Sequence, residues 1–169
     1  RRQALRNEML LRSANDGSHV LDSNGNVLEA NAVFCSMLGY SHAEALELNV
    51  AQWDARWSPE ELMSEVIPRV LQGRQVFETQ HRRRDGQIIE VEVSAVGVEV
   101  DGVRVMCAAS RDITERKRAE RELARTAAEL TEANRLKDIF TDVLRHDILT
   151  PITAVMLSLE LLEGMESDP

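Results

Sequence analysis

Between residues 113 and 163 the chain has no glycine, and its only proline there is Pro151. A stretch of that length without turn-forming residues has nothing with which to reverse direction, so it predicts one nearly continuous helix. The other half is built differently. Residues up to 110 hold all but one of the eight glycines, both tryptophans and most of the β-branched residues. The chain therefore divides into a compact unit of one-domain size and a helical extension. At 169 residues it has no room for a sensor together with a complete nucleotide-binding catalytic domain. Only 4% of residues are aromatic, so aliphatic side chains must fill most of the core.

A formal net charge of −9 argues against general binding to a phosphate backbone, and nucleic acid is not an expected partner. No apolar run reaches the roughly 18–20 residues of a membrane span, and no charged-then-apolar leader opens the chain. Cys35 and Cys107 make neither a disulfide framework nor a CxxC metal pair, so no metal is expected. A reducing, cytoplasmic setting is expected for this segment, with membrane anchoring upstream of Arg1 left open. Beginning at Arg1 and ending in an acidic tail, the chain reads as part of a longer protein.

In the compact half, Leu5 and Met9 give residues 1–14 one apolar stripe, predicting an N-terminal helix stopped by Asn15-Asp16-Gly17. Asn24-Gly25, Asp85-Gly86 and Asp101-Gly102 each offer the positive φ angles of a tight hairpin. They join predicted strands around Val20 and Val27, around Phe77 and Ile89, and from the Ile89 strand to one over 103–110. The middle, 32–71, is expected to be helical. Ala32 to Leu38 is stopped by Gly39. Ser41 with Glu44 makes a capping box, and Ser58-Pro59 opens a third helix carrying Leu62, Val66, Ile67, Val70 and Leu71. In the strand from Ile88 to Val100, apolar residues change face after Gly97. Either a bulge at Gly97 flips the pleat, or the N-terminal helix or a partner chain covers Val96, Val98 and Val100; cover is the preferred reading.

Two strands, three short helices and a three-stranded meander are the element order of a PAS domain. Asn31-Ala32, Phe34 and Met37-Leu38-Gly39-Tyr40-Ser41 resemble that family's N-x-x-F-x-x-x-x-G-Y segment, and Arg84-Asp85-Gly86 is similar to its usual hairpin. Arg111-Asp112-Ile113-Thr114-Glu115-Arg116-Lys117 resembles the D-I-T-E-R-K junction that ends many PAS domains and starts a signalling helix. Asp112, Thr114 and Arg116 are the expected junction residues: a side-chain cap on the helix start and an ion pair from Arg116 or Lys117. The resemblance implies an α+β fold, a five-stranded antiparallel sheet with short helices, followed by a long dimeric coiled-coil helix.

PAS domains often hold a small molecule on the inner sheet face. The reactive cysteine of flavin-photochemical members is missing: Cys35 falls on a helix and Cys107 in the last strand, both read as small buried hydrophobes. No histidine stands between Glu60 and Leu71, where a haem-binding member has one. His42 and His81 read as bystanders, Arg82, Arg83 and Arg84 as a solvated strand face, and Trp53 and Trp57 as caps on the core. The PAS ligand is thus unknown, and a small molecule in the pocket stays an expectation without a named class.

In the helical half, Leu123, Thr126, Leu130, Ala133, Phe140 and Leu144 recur in steps of three and four, the pattern of a coiled coil. Lys137 falls where a core residue belongs, so the register slips near Arg135. Such a stripe needs a partner, and a parallel homodimer is expected. Further on stands Phe140-Thr141-Asp142-Val143-Leu144-Arg145-His146-Asp147-Ile148-Leu149-Thr150-Pro151. It resembles the H-box of two-component sensor histidine kinases: phenylalanine six before the histidine, an acid one after, threonine four after, proline five after. Leu149 stands where that family often has arginine, and Arg145 where it often has serine. The H-D-x-x-x-P form is similar to archaeal and less common bacterial members.

The resemblance implies that His146 is the phosphoacceptor, Asp147 its general base, and Thr150 the residue that orients water when the partner regulator is dephosphorylated. The chemistry suits those types. A neutral imidazole is a nucleophile near physiological pH, and a neighbouring carboxylate can take the proton shed by its other nitrogen. Pro151 deprives the carbonyl of Asp147 of its helical partner, so a helix bend is expected there. The implied organisation is an N-terminal helix (1–14), a PAS sensor domain (15–112), a signalling coiled coil (113–137) and the first helix of a histidine-phosphotransfer domain, truncated (138–169). ATP is the substrate of the full-length parent, whose own ATPase domain is missing here, and a response-regulator receiver domain is the expected partner. The alternative is a non-enzymatic PAS module for dimerisation or ligand binding, with His146 incidental.

Overall fold

The computed structural model describes residues 16–166, apart from the side chains at 147, 149 and 160–166. The helix expected over 1–14 lies outside the described residues. Strands β1 (Gly17–Leu21) and β2 (Val27–Ala30) pair antiparallel, with Gly25 at φ 82° in their turn. Strands β3 (Gln75–Arg82), β4 (Ile88–Val100) and β5 (Val103–Asp112) form the meander. Asp101 and Gly102, at φ 52° and 80°, make the two-residue turn between the last pair. The strands make one antiparallel sheet in the order β2-β1-β5-β4-β3. The expected PAS architecture is the one found. β1 lies between β2 and β5, and all five of its residues are buried.

Short helices cover one face of the sheet: α1 (Ala32–Leu38), α2 (His42–Ala45), α3 (Val50–Trp53), α4 (Pro59–Glu61) and α5 (Ile67–Gln72). Each of the first four begins on a side-chain cap, from Asn31, Ser41, Asn49 and Ser58 in turn. The segment α3, with its Asn49–Gln52 capping box, was not singled out within the helical midsection. Phe34, Leu38, Trp53, Ile67 and Val70 pack from the helices onto Leu21, Ile89, Val91, Val93 and Met106.

One local feature excludes the bulge considered at Gly97, and a second departs from the sequence reading. β4 keeps unbroken register with β5 from Val91 to Val100, so there is no bulge at Gly97. Gly97 instead lies directly under α5: a Cβ there would sit 2.6 Å from the Leu71 Cα and 2.8 Å from its carbonyl oxygen. Glycine is required by close backbone approach, and the pleat continues with Val96, Val98 and Val100 half-buried on the outer face. Second, the helix over 59–72 is not regular. Leu62–Val66 forms a wide π turn ahead of Pro68. The proline ring clashes with a carbonyl one α turn back, and widening the preceding turn relieves that clash.

The extension, taken by itself, is helical: α6 (Thr114–Val143), a π turn at Leu144–Leu149, and α7 (Thr150–Glu166). Among the described residues the helix is regular through Arg135, and the irregularity falls nine residues or more further on, at the turn before Pro151. Leu123, Leu130 and Phe140 are exposed along it. No described helix is long and apolar enough to cross a membrane.

Candidate functional site

Three places carry polar chemistry: a cavity on the inner sheet face, the junction between β5 and α6, and the histidine segment.

The cavity holds about 60 Å³, between the helices α3 to α5 and the sheet. That is room for about two water molecules, far below the volume of a flavin or a haem. Period-two alternation explains which side chains reach it. In β1, Gly17, His19 and Leu21 share a face; in β3, Phe77, Thr79 and His81 alternate with Glu78, Gln80 and Arg82. His19 and His81 are each 3% exposed and both line the cavity. The His19 ring lies 4.2 Å from that of Phe34 and edge-on to Trp53 at 5.9 Å. Burial, reinforced by the His81 ring, pushes its pKa down to about 3, against a backbone hydrogen bond at Gly17. Burial likewise pushes His81 down to about 4, partly offset by the charge of Asp112. Both imidazoles are therefore neutral at physiological pH, and Nδ1 of each is buried without a hydrogen-bond partner.

Asp54 lines the same cavity but is satisfied. Its Oδ1 accepts from the N–H groups of Arg56 and Trp57 at 2.9 and 3.0 Å, and its Oδ2 accepts from the Thr79 hydroxyl at 3.1 Å. Burial raises its pKa, and these hydrogen bonds pull it back. Among the described residues no group of three histidine, cysteine, aspartate or glutamate side chains is placed to hold a metal ion. Cys35 is buried on α1, its thiol pKa raised by burial, and Cys107 is half-buried in β5. His42 opens α2 on the surface. Trp53 is 1% exposed, and Trp57 stacks edge-on against Phe77 at 5.3 Å.

At the junction, Ile113 is buried and its N–H donates to the Glu90 carbonyl at 2.9 Å. The Asp112 carboxylate accepts from the Thr114 N–H at 2.9 Å and pairs with Arg83 at 3.2 Å. The Thr114 hydroxyl in turn accepts from the Glu90 N–H at 3.0 Å. Arg116 reaches Glu78 at 3.2 Å and Glu92 at 3.8 Å, and Lys117 reaches Glu78 at 2.6 Å. Glu78 and Glu92 face each other across β3 and β4, a like-charge pair that is unfavourable alone. Arg116 bridges the two, so the first turn of α6 neutralises a charge problem on the sheet. Asp112 ends β5 and Thr114 and Arg116 open α6, so the three stand together at the β5–α6 junction.

The histidine segment is exposed. The Thr150 N–H and its hydroxyl both donate to the Arg145 carbonyl, the hydroxyl at 2.9 Å, spanning the π turn that contains His146. The turn before Pro151 widens, as it does before Pro68. His146 is exposed, with Ile148, Ile152, Val155 and Met156 exposed around it. The side chain of Asp147 lies outside the described residues.

The buried pair His19 and His81 is what sequence reasoning missed. A signal was available for His81, which shares its strand face with Phe77; His19 stands in a strand too short to show one.

Residues 15–115 match a family described as the PAS domain. The chain is 34% identical over 167 residues to the C4-dicarboxylate transport sensor protein DctS of Rhodobacter capsulatus, covering 89% of this chain and 25% of that protein. It is 32% identical over 110 residues to a methyl sulfide methyltransferase-associated sensor of Methanosarcina acetivorans, covering 63% of this chain and 11% of that protein. The chain thus spans a quarter or less of these relatives. Among solved structures, the PAS domain of an HTR-like protein from Haloarcula marismortui superposes with a TM-score of 0.58 at 31% identity, covering 66% of this chain and 93% of that one.

Proposed function

The chain belongs to the PAS domain family, and from that premise we propose that it is the sensory and phosphoacceptor part of a two-component sensor histidine kinase. The compact unit senses. The helix that starts at Thr114 relays, as one strand of a parallel coiled coil in a homodimer. His146 accepts the γ-phosphoryl group of ATP, delivered by the parent's ATPase domain, and passes it to an aspartate on a response regulator. Asp147 takes the proton from the imidazole nitrogen that is not phosphorylated, and Thr150 orients water for regulator dephosphorylation. Pro151 and the wide turn before it make the helix around His146 deformable.

The observation that carries this reading is the junction. A capped, salt-bridged start joins the last strand of the sensor fold to a helix on whose continuation His146 stands exposed. Similarity to a sensor protein along 89% of the chain supports it, since that stretch reaches beyond the PAS domain into the helix. The exposed Leu123, Leu130 and Phe140 support a partner helix.

The test is labelling of the full-length parent with ATP. The label is expected to be acid-labile and base-stable, as a phosphoramidate is, and to vanish in His146→Ala. Asp147→Asn is expected to slow labelling by roughly 10²–10⁴-fold, and Thr150→Ala to leave labelling while impairing regulator dephosphorylation. Full labelling of the His146→Ala protein would overturn the phosphoacceptor reading.

A further inference from the structure

We propose that the wide turn at Leu144–Leu149 is a one-residue phase insertion that keeps α6 and α7 on a single dimer seam. Ile148, Ile152, Val155 and Leu159 then face the second copy of this chain together with Leu130 and Phe140, and His146 stands on the side turned away. All of this rests on the parallel homodimer proposed above.

The apolar cadence itself calls for an insertion. From Leu123 through Leu130 and Ala133 to Phe140 and Leu144 it advances by alternating steps of three and four, the spacing of one seam on a coiled-coil helix. Lys137 departs from it in kind but not in spacing. Continued without interruption, the same steps fall on Asp147, Pro151, Ala154, Ser158 and Leu161. That set is mostly polar or small, and it would bury a carboxylate between two helices. The larger apolar residues stand one place later throughout, at Ile148, Ile152, Val155, Leu159 and Leu162. Their own steps are again four and three, so the cadence is intact and only its phase has moved. One inserted residue is what such a displacement requires.

The backbone supplies the extra residue at that place. The Thr150 N–H donates to the Arg145 carbonyl, one residue further back than an α turn reaches. The Thr150 hydroxyl donates to the same carbonyl at 2.9 Å and closes the wide turn from its far end. Relief of the proline clash accounts for a widening before Pro151, as before Pro68. It does not require the apolar stripe beyond the proline to be displaced. The displacement in the sequence and the widening in the backbone are independent, and they agree in place and in size. The register slip expected near Arg135 belongs to this turn, since the helix is regular up to Val143. Ile148, Ile152, Val155 and Leu159 are each exposed on the chain taken alone, as an unpaired seam is.

The phase matters to His146. With the turn wide, His146 stands two residues after Leu144 and two before Ile148, about half a helical turn from each. The proposed phosphoacceptor therefore faces away from the partner helix. Closing the wide turn into an α turn, with no residue removed, would rotate everything beyond it by about 100°. α7 would then bring the register positions of Asp147 and Ala154 to the seam and carry Ile152 and Val155 off it. His146 would come to within about a quarter of a turn of the new seam.

The test is disulfide mapping of the seam in the full chain, with Cys35→Ala and Cys107→Ala as background and one new cysteine at a time. Under mild oxidation Leu130→Cys and Phe140→Cys are expected to cross-link to the same position of the second copy, and so are Ile148→Cys, Ile152→Cys and Val155→Cys. Asp147→Cys and Ala154→Cys are expected to cross-link several-fold more slowly. The map is then repeated in Pro151→Ala, where it is expected to stay the same, because phase rather than the proline ring keeps the turn wide. Deleting Arg145 from that Pro151→Ala chain is also expected to keep the cross-links on the same apolar residues, since a chain shorter by one residue continues the seam as a regular helix. Fast cross-linking at Asp147→Cys and Ala154→Cys in place of Ile152→Cys and Val155→Cys overturns the phase insertion. A shift to that set in Pro151→Ala overturns it as well, leaving the wide turn as proline relief alone. Loss of the apolar cross-links on deleting Arg145 does the same. Absence of cross-links even at Leu130→Cys and Phe140→Cys overturns the homodimer itself. No outcome is read through phosphorylation, so failure of the phosphoacceptor reading registers separately, in the labelling of His146.

Discussion

Lowering the pH from 7 to 5 is expected to destabilise the compact unit through His19 and His81. Unfolded, each imidazole titrates near its ordinary value of about 6.5; folded, burial holds them down to about 3 and about 4. Inside that window the unfolded chain takes up protons that the folded chain refuses. Their folded values are depressed, so stability is full above about pH 6.5 and falls as pH drops, until the folded rings themselves protonate near the low end. Each pH unit within the window costs about 1.4 kcal/mol per histidine, so pH 5 costs roughly 2 kcal/mol each and roughly 4 kcal/mol together. That is a large share of the 5–15 kcal/mol stability of an ordinary domain. Asp54 acts in the opposite sense, because burial raises its folded value and protonation there favours the fold. Asp54 is common to the wild type and the histidine variants, so its contribution cancels when their slopes are compared between pH 5 and 7. Urea unfolding followed by tryptophan fluorescence at a series of pH values gives the slope. His19→Asn and His81→Asn are each expected to remove about half of it, whatever they do to absolute stability. A double variant with the wild-type slope would refute the assignment of the acid sensitivity to these two rings.

Gly97→Ala is expected to cost about 1–3 kcal/mol, because the new methyl meets the backbone of α5 rather than a side chain that can turn away; an unchanged melting temperature would contradict that packing. Asp112→Ala is expected to leave the PAS core folded and to raise hydrogen exchange at the Thr114 amide, with a loss of about 1 kcal/mol typical of a cap. In the full-length parent the same change is expected to uncouple signal from phosphorylation, and normal signal-dependent labelling would count against a coupling role. Light scattering at high micromolar concentration is expected to give a dimer mass for this chain; a monomer mass would remove the coiled-coil partner.

The strands, their hairpins and the helix caps were legible because each rests on local chemistry: Gly25, Gly86 and Gly102 at positive φ, and Ser41 and Ser58 as caps. The reason for a glycine at 97 was not resolvable from sequence, since it is the backbone of Leu71, distant in the chain. The π turns before Pro68 and Pro151 went unread for another reason. A proline within an apolar stripe signals a disturbed helix, but not whether the helix kinks, stops or widens. His81 was read as a bystander on the strength of its arginine neighbours, although the pleat places those neighbours on the other face or past the strand end. His19 drew no attention because one histidine in a five-residue strand carries little periodicity; only its place between β2 and β5 makes it part of the core. The junction was legible as a motif. Its geometry depends on Glu78, Glu90 and Glu92, which no local pattern links to Arg116.

The central claim is that one helix carries the state of the PAS unit to His146, and helix phase tests it most directly. Each residue inserted into α6 after Ala128 rotates everything beyond it by about 100°, while seven residues make nearly two whole turns and restore the phase. Labelling of His146 in the full-length parent is expected to change several-fold with one or two inserted residues and to return close to the wild-type level with seven. Equal labelling at every insertion length would contradict a relay through this helix.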